Sequence, residues 1–115
     1  PPGKRKGDLA IMVEKAYPLS QAKQKTVEKI IMDDNIHYIH MIFGNGEGLP
    51  LHHANAPVYM TVVRGTLTVK LDDQETHRHE NGTLLVIPAG TLMDVGNRDE
   101  ELLELIVVKA PAPKG

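Results

Sequence analysis

Two stretches decide the fold: GEGLPLHHANAPVYMTVVRG at Gly46–Gly65 and GTLLVIPAGTLMDVGN at Gly82–Asn97. Each begins with a glycine, followed after five residues by a distinctive side chain, His52 in the first stretch and Pro88 in the second. Between them, the run TLTVKL at 66–71 alternates polar and apolar side chains, which is typical of a strand with one buried face. The stretches therefore predict short strands separated by glycine-containing turns.

The same pattern extends to both sides of these stretches. Further β segments are predicted at 25–32, 36–43, 58–64, 75–79, 83–87 and 102–109. Turn-forming residues separate many of them, such as Asp33–Asn35 between the first two. Seven or eight short strands at even spacing predict an all-β sandwich or barrel. Only 19–25 could form a helical turn, and that segment is too short to change the fold class.

The length of 115 residues predicts one domain. We expect a flexible tail at 1–7, a single barrel domain at 8–110 and a second tail at 111–115. The basic triplet Lys4–Lys6 is either an anion-binding arm or a solvated tail, and the second reading is favoured. The closing APAPKG segment is rich in proline, so we expect it to leave the barrel in an extended form.

The composition excludes several classes of function. A net charge of −2 and an aromatic content of 3% argue against a nucleic-acid partner, which needs cations and stacking rings. The absence of cysteine excludes disulfides, thiolate nucleophiles and thiolate metal sites. No apolar run approaches the roughly 18 residues that a membrane-spanning helix requires, so neither a membrane partner nor a signal peptide is expected. A cytoplasmic location is the default expectation.

The two stretches resemble the paired motifs of the cupin superfamily, and in particular its small, single-domain, RmlC-like members. The matching positions are Gly46, His52 and Gly65 in the first motif, and Gly82, Pro88, Gly90 and Asn97 in the second. Gly65 and Gly82 lie 17 positions apart, a separation similar to the short spacing of small cupins. The resemblance implies a double-stranded β-helix, the jelly-roll barrel of that family.

The resemblance also identifies four positions at which a typical cupin holds a divalent metal through three histidines and a glutamate. In this sequence these positions carry His52, Ala54, Val58 and Met93. Methyl and isopropyl groups cannot donate a lone pair, and a thioether is a poor ligand for hard or borderline ions. If His53 is taken as the second ligand instead, Leu51 occupies the first ligand position, so this alternative register does not restore the metal site. We therefore predict no metal and no other cofactor.

With the metal ligands replaced, the barrel interior is expected to be an apolar cup. The family spacing directs His52, Ala54, Val58 and Met93 inward, and strand alternation adds Met60. In the segment 36–43 we expect Tyr38, His40 and Ile42 to face the interior. Such a cup is typical of a site for a small, partly apolar molecule. The alternative is a core filled by its own side chains, in which methionine is a common gap-filler.

Three other functions stay open. A metal-independent isomerase or epimerase could use His52 or His40 as the base and Tyr38 as the acid. A recruited transition-metal site could use His52, His40 and Met93, because imidazole and thioether donors suit copper. A structural or partner-binding module is the third. Whether the protein is an enzyme is not decided by the sequence.

Two further features bear on assembly and on metal binding. His77-Arg78-His79 spells His-x-His, but no acid or histidine follows at the motif distance, so we expect the edge of a surface hairpin. The segments 36–43 and 58–64 are apolar on both faces, which implies that a second surface covers each of them. A homodimer is the expected assembly.

Overall fold

The computed structural model describes residues 12–98 and 101–114, and within them the regular elements are nine β-strands. These are β1 Thr26–Met32, β2 His37–Gly44, β3 His52–His53, β4 Val58–Arg64, β5 Thr66–Leu71, β6 His77–Glu80, β7 Leu84–Ile87, β8 Leu92–Gly96 and β9 Leu102–Lys109. The predicted all-β class is confirmed. The segment 19–25 forms no helical turn. The expected tail at 1–7 lies outside the described residues.

The strands form two antiparallel sheets. One has five strands in the order β1-β2-β9-β4-β7, and the other has four strands in the order β3-β8-β5-β6. Apart from β1-β2 and β5-β6, neighbouring strands are not consecutive in the chain, as in a jelly roll, and β9 lies between β2 and β4. The two sheets enclose one apolar core. β1 and β7 form the edges of the larger sheet, and β3 and β6 form the edges of the smaller one.

The core is filled by side chains from both sheets. Its buried members are Ile39, Met41, Phe43, Ala54, Val58, Met60, Val62, Leu67, Val69, Ile87, Met93, Val95, Leu103, Leu105 and Val107, each at most 6% exposed. They recur at every second position of β2, β4, β5, β8 and β9, because successive side chains of a strand point to opposite faces. Strand alternation therefore determines which side chains of these strands belong to the core.

The expectation that Tyr38, His40 and Ile42 face the interior is wrong. Ile39 and Met41 belong to the core cluster, so their neighbours on β2 lie on the opposite face of the sheet. His40 and Ile42 are nevertheless completely buried, and Tyr38 is half-buried. The motif does not reveal which side chains of β2 face inward, because the irregular segment 45–51 separates β2 from His52 and interrupts the strand alternation.

Two glycines of the motifs lie at tight turns that connect the strands. Gly65 joins β4 to β5 with a φ of +83°, and a Cβ there would overlap the carbonyl oxygen of Leu102. Gly82 has a φ of +86°, but nothing lies within 4 Å of the position that its Cβ would occupy. Both turns need the left-handed backbone that glycine adopts without strain. Only at Gly65 would an added side chain also clash with a neighbouring atom.

Residues 110–112 lie against the barrel. The backbone N–H of Ala110 donates to the carbonyl oxygen of Pro57, and that of Ala112 donates to the carbonyl oxygen of Asn35. These bonds hold residues 110–112 beside the turn that joins β1 to β2.

Candidate functional site

The four positions at which a typical cupin binds its metal lie together but carry the wrong donors. Ala54, Val58 and Met93 are 5%, 3% and 2% exposed and belong to the apolar core. His52 lies directly opposite Met93 in the pairing of β3 with β8. One imidazole and three apolar side chains do not fit a divalent ion. Within residues 12–98 and 101–114, no three histidine or acidic side chains are grouped closely enough to hold a metal.

The sequence predicts that His52 faces the barrel interior, but the structure does not enclose it. Its side chain is exposed, and its Nδ1 lies 2.8 Å from the carbonyl oxygen of Pro50. The reason is that β3 has two residues and lies at the edge of its sheet, so no neighbouring strand covers the imidazole from that side. The neighbouring His53 is also exposed, and its Nδ1 contacts the carbonyl oxygen of Gly90 at 3.1 Å.

His40 lies on the outer face of the five-stranded sheet, between two carboxylates. Its Nδ1 is 2.8 Å from Oε1 of Glu28 on β1, and its Nε2 is 2.6 Å from Oε2 of Glu104 on β9. Carboxylate oxygens only accept, so both hydrogen bonds form when both ring nitrogens carry hydrogen. Because both nitrogens are engaged and the ring is 0% exposed, His40 is not available to a ligand.

The two carboxylates beside His40 have further partners. The backbone N–H of Ser20 donates to Glu28 at 2.8 Å. This bond, and after it the bond from His40, holds the pKa of Glu28 below its ordinary value. Nε of Arg64 lies 3.6 Å from Glu104. The result is a hydrogen-bonded cluster around His40 that fastens the segment before β1 to the sheet.

The residues proposed for an isomerase or for a copper-type site are therefore not brought together. Tyr38 and His40 lie on the outer face of the sheet, whereas Met93 lies in the core and His52 at the edge. The sequence placed them in one cup because β2 was assigned the opposite parity and His52 was expected to face the interior.

A cleft of about 420 Å³ lies where the edge strands β6 and β7 of the two sheets face each other. Its walls include Leu71, Asp72, His77, His79, Leu85 and Thr91. Leu71 and Leu85 are partly buried and pack against the core, so the cleft reaches from the surface to the apolar interior. It combines apolar walls with a few polar groups, which is typical of a small-molecule site.

The two imidazoles of the cleft come from the inner face of β6. His77 pairs with Val69, and His79 pairs with Leu67, and both partners are core residues. Directly opposed residues on neighbouring strands share a face, so both histidines lie on the face that covers the core. The expected hairpin edge is present, but sequence reasoning missed that its histidines line a cleft. Their i, i+2 spacing opposite Leu67 and Val69 was the available signal.

The end wall of the cleft is anchored by Asp72, which follows β5. Its φ is +50°, in the left-handed region that aspartate tolerates better than most residues. Its backbone N–H donates to the carbonyl oxygen of Leu92 at 2.9 Å, and its Oδ1 accepts from the N–H of Leu92 at 2.8 Å. These two hydrogen bonds to β8 fix the start of the loop that leads to β6.

A second, larger cleft of about 1070 Å³ lies beside the hydrogen-bonded cluster around His40, since Ser20, Arg64 and Glu104 line it. Its walls carry charges of both signs, including Lys23, Arg64, Glu101 and Glu104. Glu104 is already paired with His40 and Arg64. Among the described residues that line this cleft, no buried side-chain nitrogen or oxygen lacks a hydrogen-bond partner that a ligand could supply.

The sequence and the fold both have relatives. The chain is 36% identical over 104 residues, 90% of each chain, to the uncharacterized protein MJ0764 of Methanocaldococcus jannaschii. The crystal structure of MJ0764, an RmlC-like cupin family protein with a double-stranded β-helix fold, superposes with a TM-score of 0.85, at 35% identity, over 89% of this chain and 94% of that one. A Streptococcus pyogenes protein of unknown function, SPY1581, matches with a TM-score of 0.71 at 19% identity, covering 90% of this chain and 93% of that one.

None of the described residues forms a helix long and apolar enough to cross a membrane. Residues 39–109 match the family model of the cupin domain. With that match, the glycine turns and the two facing sheets, the chain belongs to the cupin family.

Proposed function

We propose that this protein is a cupin that has lost the metal-binding side chains of its family and binds a small, partly apolar molecule. The site that we propose is the cleft between β6 and β7, at the mouth of the barrel and not at its centre. The observation that carries this proposal is the placement of Leu71 and Leu85, which open the apolar interior to the cleft.

The barrel centre is less suitable than this mouth. Three of the four positions equivalent to the metal ligands, Ala54, Val58 and Met93, are at most 5% exposed and pack with Met60 in the core. A ligand there would have to displace well-packed side chains, which is costly because interiors are packed like organic crystals. At the mouth, the walls are already separated, and two imidazoles with the hydroxyl of Thr91 supply polar contacts. A ligand with one polar end and one apolar end matches that lining.

Filling the cleft tests this proposal. A library of small fragments would be screened against the 15N-labelled protein, and bound fragments are expected to shift the amide signals around Leu71, His79 and Leu85. The change Leu85→Trp places an indole in the cleft, so we expect fragment affinity to fall at least about tenfold, equivalent to 1.4 kcal/mol.

The matched control is Leu84→Trp on the same strand. Leu84 is 57% exposed and lies on the outer face, since its neighbour Leu85 lies opposite the core residue Met60. The control should leave fragment binding unchanged. If no fragment binds, or if the signals that shift belong to the outer face, the cleft is not the binding site.

We also propose that the protein is a homodimer that pairs through the outer face of the five-stranded sheet. Tyr59 on β4 lies opposite Val86 on β7, and both belong to this outer face together with Leu84. Their side chains are 38%, 63% and 57% exposed. Contiguous apolar side chains on a monomer surface are typical of an interface, and the same face on a second copy would cover them.

The change Tyr59→Glu, at a position that does not line the cleft between β6 and β7, is expected to convert the dimer into a monomer. The reason is that an unpaired carboxylate in an apolar interface costs several kcal/mol. Size-exclusion chromatography with light scattering would measure the mass, with twice the 12.7 kDa chain mass expected for the wild-type protein. Leu51→Glu is the control, since Leu51 is 64% exposed but lies beside the other sheet. A monomeric wild-type protein at micromolar concentration would refute this assembly.

A further inference from the structure

The inner face of β6 carries imidazoles where the other strands carry apolar side chains. The pairing of His77 with Val69 and of His79 with Leu67 places both rings on that face. Their ring centroids are 6.1 Å apart, and the ring planes are nearly perpendicular, at 82°. Apart from this mutual contact, neither ring takes part in a hydrogen bond or ion pair among the described residues. Two imidazoles with free nitrogens therefore lie side by side in one cleft.

The spacing of these two rings is close to what one metal ion requires. With metal–nitrogen bonds of about 2.0–2.1 Å in tetrahedral geometry, two imidazoles on one ion have ring centroids about 5 Å apart. The observed separation exceeds this by about 1 Å, and rotation about the side-chain bonds closes such a gap. Rotation is unhindered because His77 is exposed, His79 is half-exposed and β6 is an edge strand.

We infer that His77 and His79 form a two-imidazole chelate for a late first-row divalent cation, namely Cu²⁺, Ni²⁺ or Zn²⁺. Neutral imidazole suits these three ions, whereas Mg²⁺ and Ca²⁺ prefer oxygen ligands. Only two donors come from the strand, so water or a bound ligand completes the coordination. Asp72 and Gln74 also line this cleft.

This site is separate from the positions at which a typical cupin binds its metal. Those positions are His52, Ala54, Val58 and Met93 on β3, β4 and β8, and three of them are apolar and buried. The chelate lies on β6, and its two histidines repeat the i, i+2 spacing that those positions have lost. The inference uses the cleft of the proposed function but does not depend on the identity of its ligand.

Titration of the untagged protein with Cu²⁺, Ni²⁺ and Zn²⁺ alone, followed by isothermal calorimetry, tests this inference. We expect one ion per chain and the highest affinity for Cu²⁺, according to the Irving–Williams order. His77→Gln and His79→Gln should each weaken binding at least about tenfold, since even the loss of a residue that only orients a ligand costs 10–100-fold. The electron paramagnetic resonance spectrum of the Cu²⁺ form should show two equatorial nitrogens.

The control is the double variant His52→Gln, His53→Gln, which removes two exposed imidazoles from β3 and should bind the ions like the wild-type protein. All variants should keep the wild-type melting temperature, because the changed side chains lie outside the core. Equal affinity in the wild type and in both β6 variants, or a loss of binding in the β3 control, would mean adventitious binding only and would overturn the inference.

The fragment screen, run in the presence of a chelator, separates this inference from the proposed function. Fragments that bind while the metal does not would refute the metal site alone. Metal binding without any fragment binding would refute the small-molecule proposal and leave the chelate in place.

Discussion

Replacement of His40 by leucine is expected to lower the free energy of unfolding by about 1–3 kcal/mol, the usual cost of leaving a hydrogen-bonding group without its partner. His40 is 0% exposed and separates the carboxylates of Glu28 and Glu104, which are 28% and 18% exposed. Without the imidazole, two like charges face each other across an apolar side chain. One carboxylate must then take up a proton or move toward solvent, and both changes cost free energy.

Urea denaturation at neutral pH would measure this loss. A triple variant, His40→Leu with Glu28→Leu and Glu104→Leu, should recover much of it, because replacing a whole buried ionic group by apolar side chains is often neutral or stabilising. A loss below about 1 kcal/mol in the single variant, in the range of an exposed ion pair, would show that the cluster does not hold the segment before β1 to the sheet.

Replacement of Gly65 by alanine is the second change with a large expected effect, a loss of about 2–5 kcal/mol. A left-handed backbone costs a residue with a Cβ about 1–2 kcal/mol, and the overlap with the carbonyl oxygen of Leu102 adds about 1–3 kcal/mol. The carbonyl cannot move freely, because Leu102 begins β9, the strand between β2 and β4. Strain at Gly65 therefore reaches the centre of the larger sheet.

Gly82→Ala is the matched control for this change. Its φ of +86° is almost the same as that of Gly65, but its Cβ would meet no atom within 4 Å. We expect a loss of about 1–2 kcal/mol from the backbone alone. The difference between the two variants in thermal or chemical denaturation isolates the contact with Leu102. Equal losses would mean that the backbone of β9 gives way and that the close approach has no energetic weight.

The sequence was most informative where local spacing carries physical meaning. Alternation in 66–71 correctly placed Leu67 and Val69 in the core, and the glycine spacing correctly located turns at Gly65 and Gly82. These predictions succeed because a turn or a strand face depends on residues that are adjacent in the chain.

The candidate site was less accessible to sequence reasoning. His40 contacts Glu104, 64 positions further along the chain, and nothing near His40 in the sequence announces that partner. The inward face of β2 was assigned wrongly because the segment 45–51 removes the strand parity on which the assignment depended. His77 and His79 looked like a surface edge, since their cleft forms only when β7 comes to lie opposite β6.

By itself, the sequence determined an all-β sandwich or barrel, because short alternating strands and turns reside in residue type and spacing. Its resemblance to the cupin family implied the jelly roll and showed that three of the four metal-ligand positions of that family carry apolar side chains here. Only the tertiary structure decided that His40 is enclosed, that His52 is exposed and that His77 and His79 line a cleft. The reason is that the burial of a side chain depends on what the other sheet places against it, and strands from distant parts of the chain supply that surface.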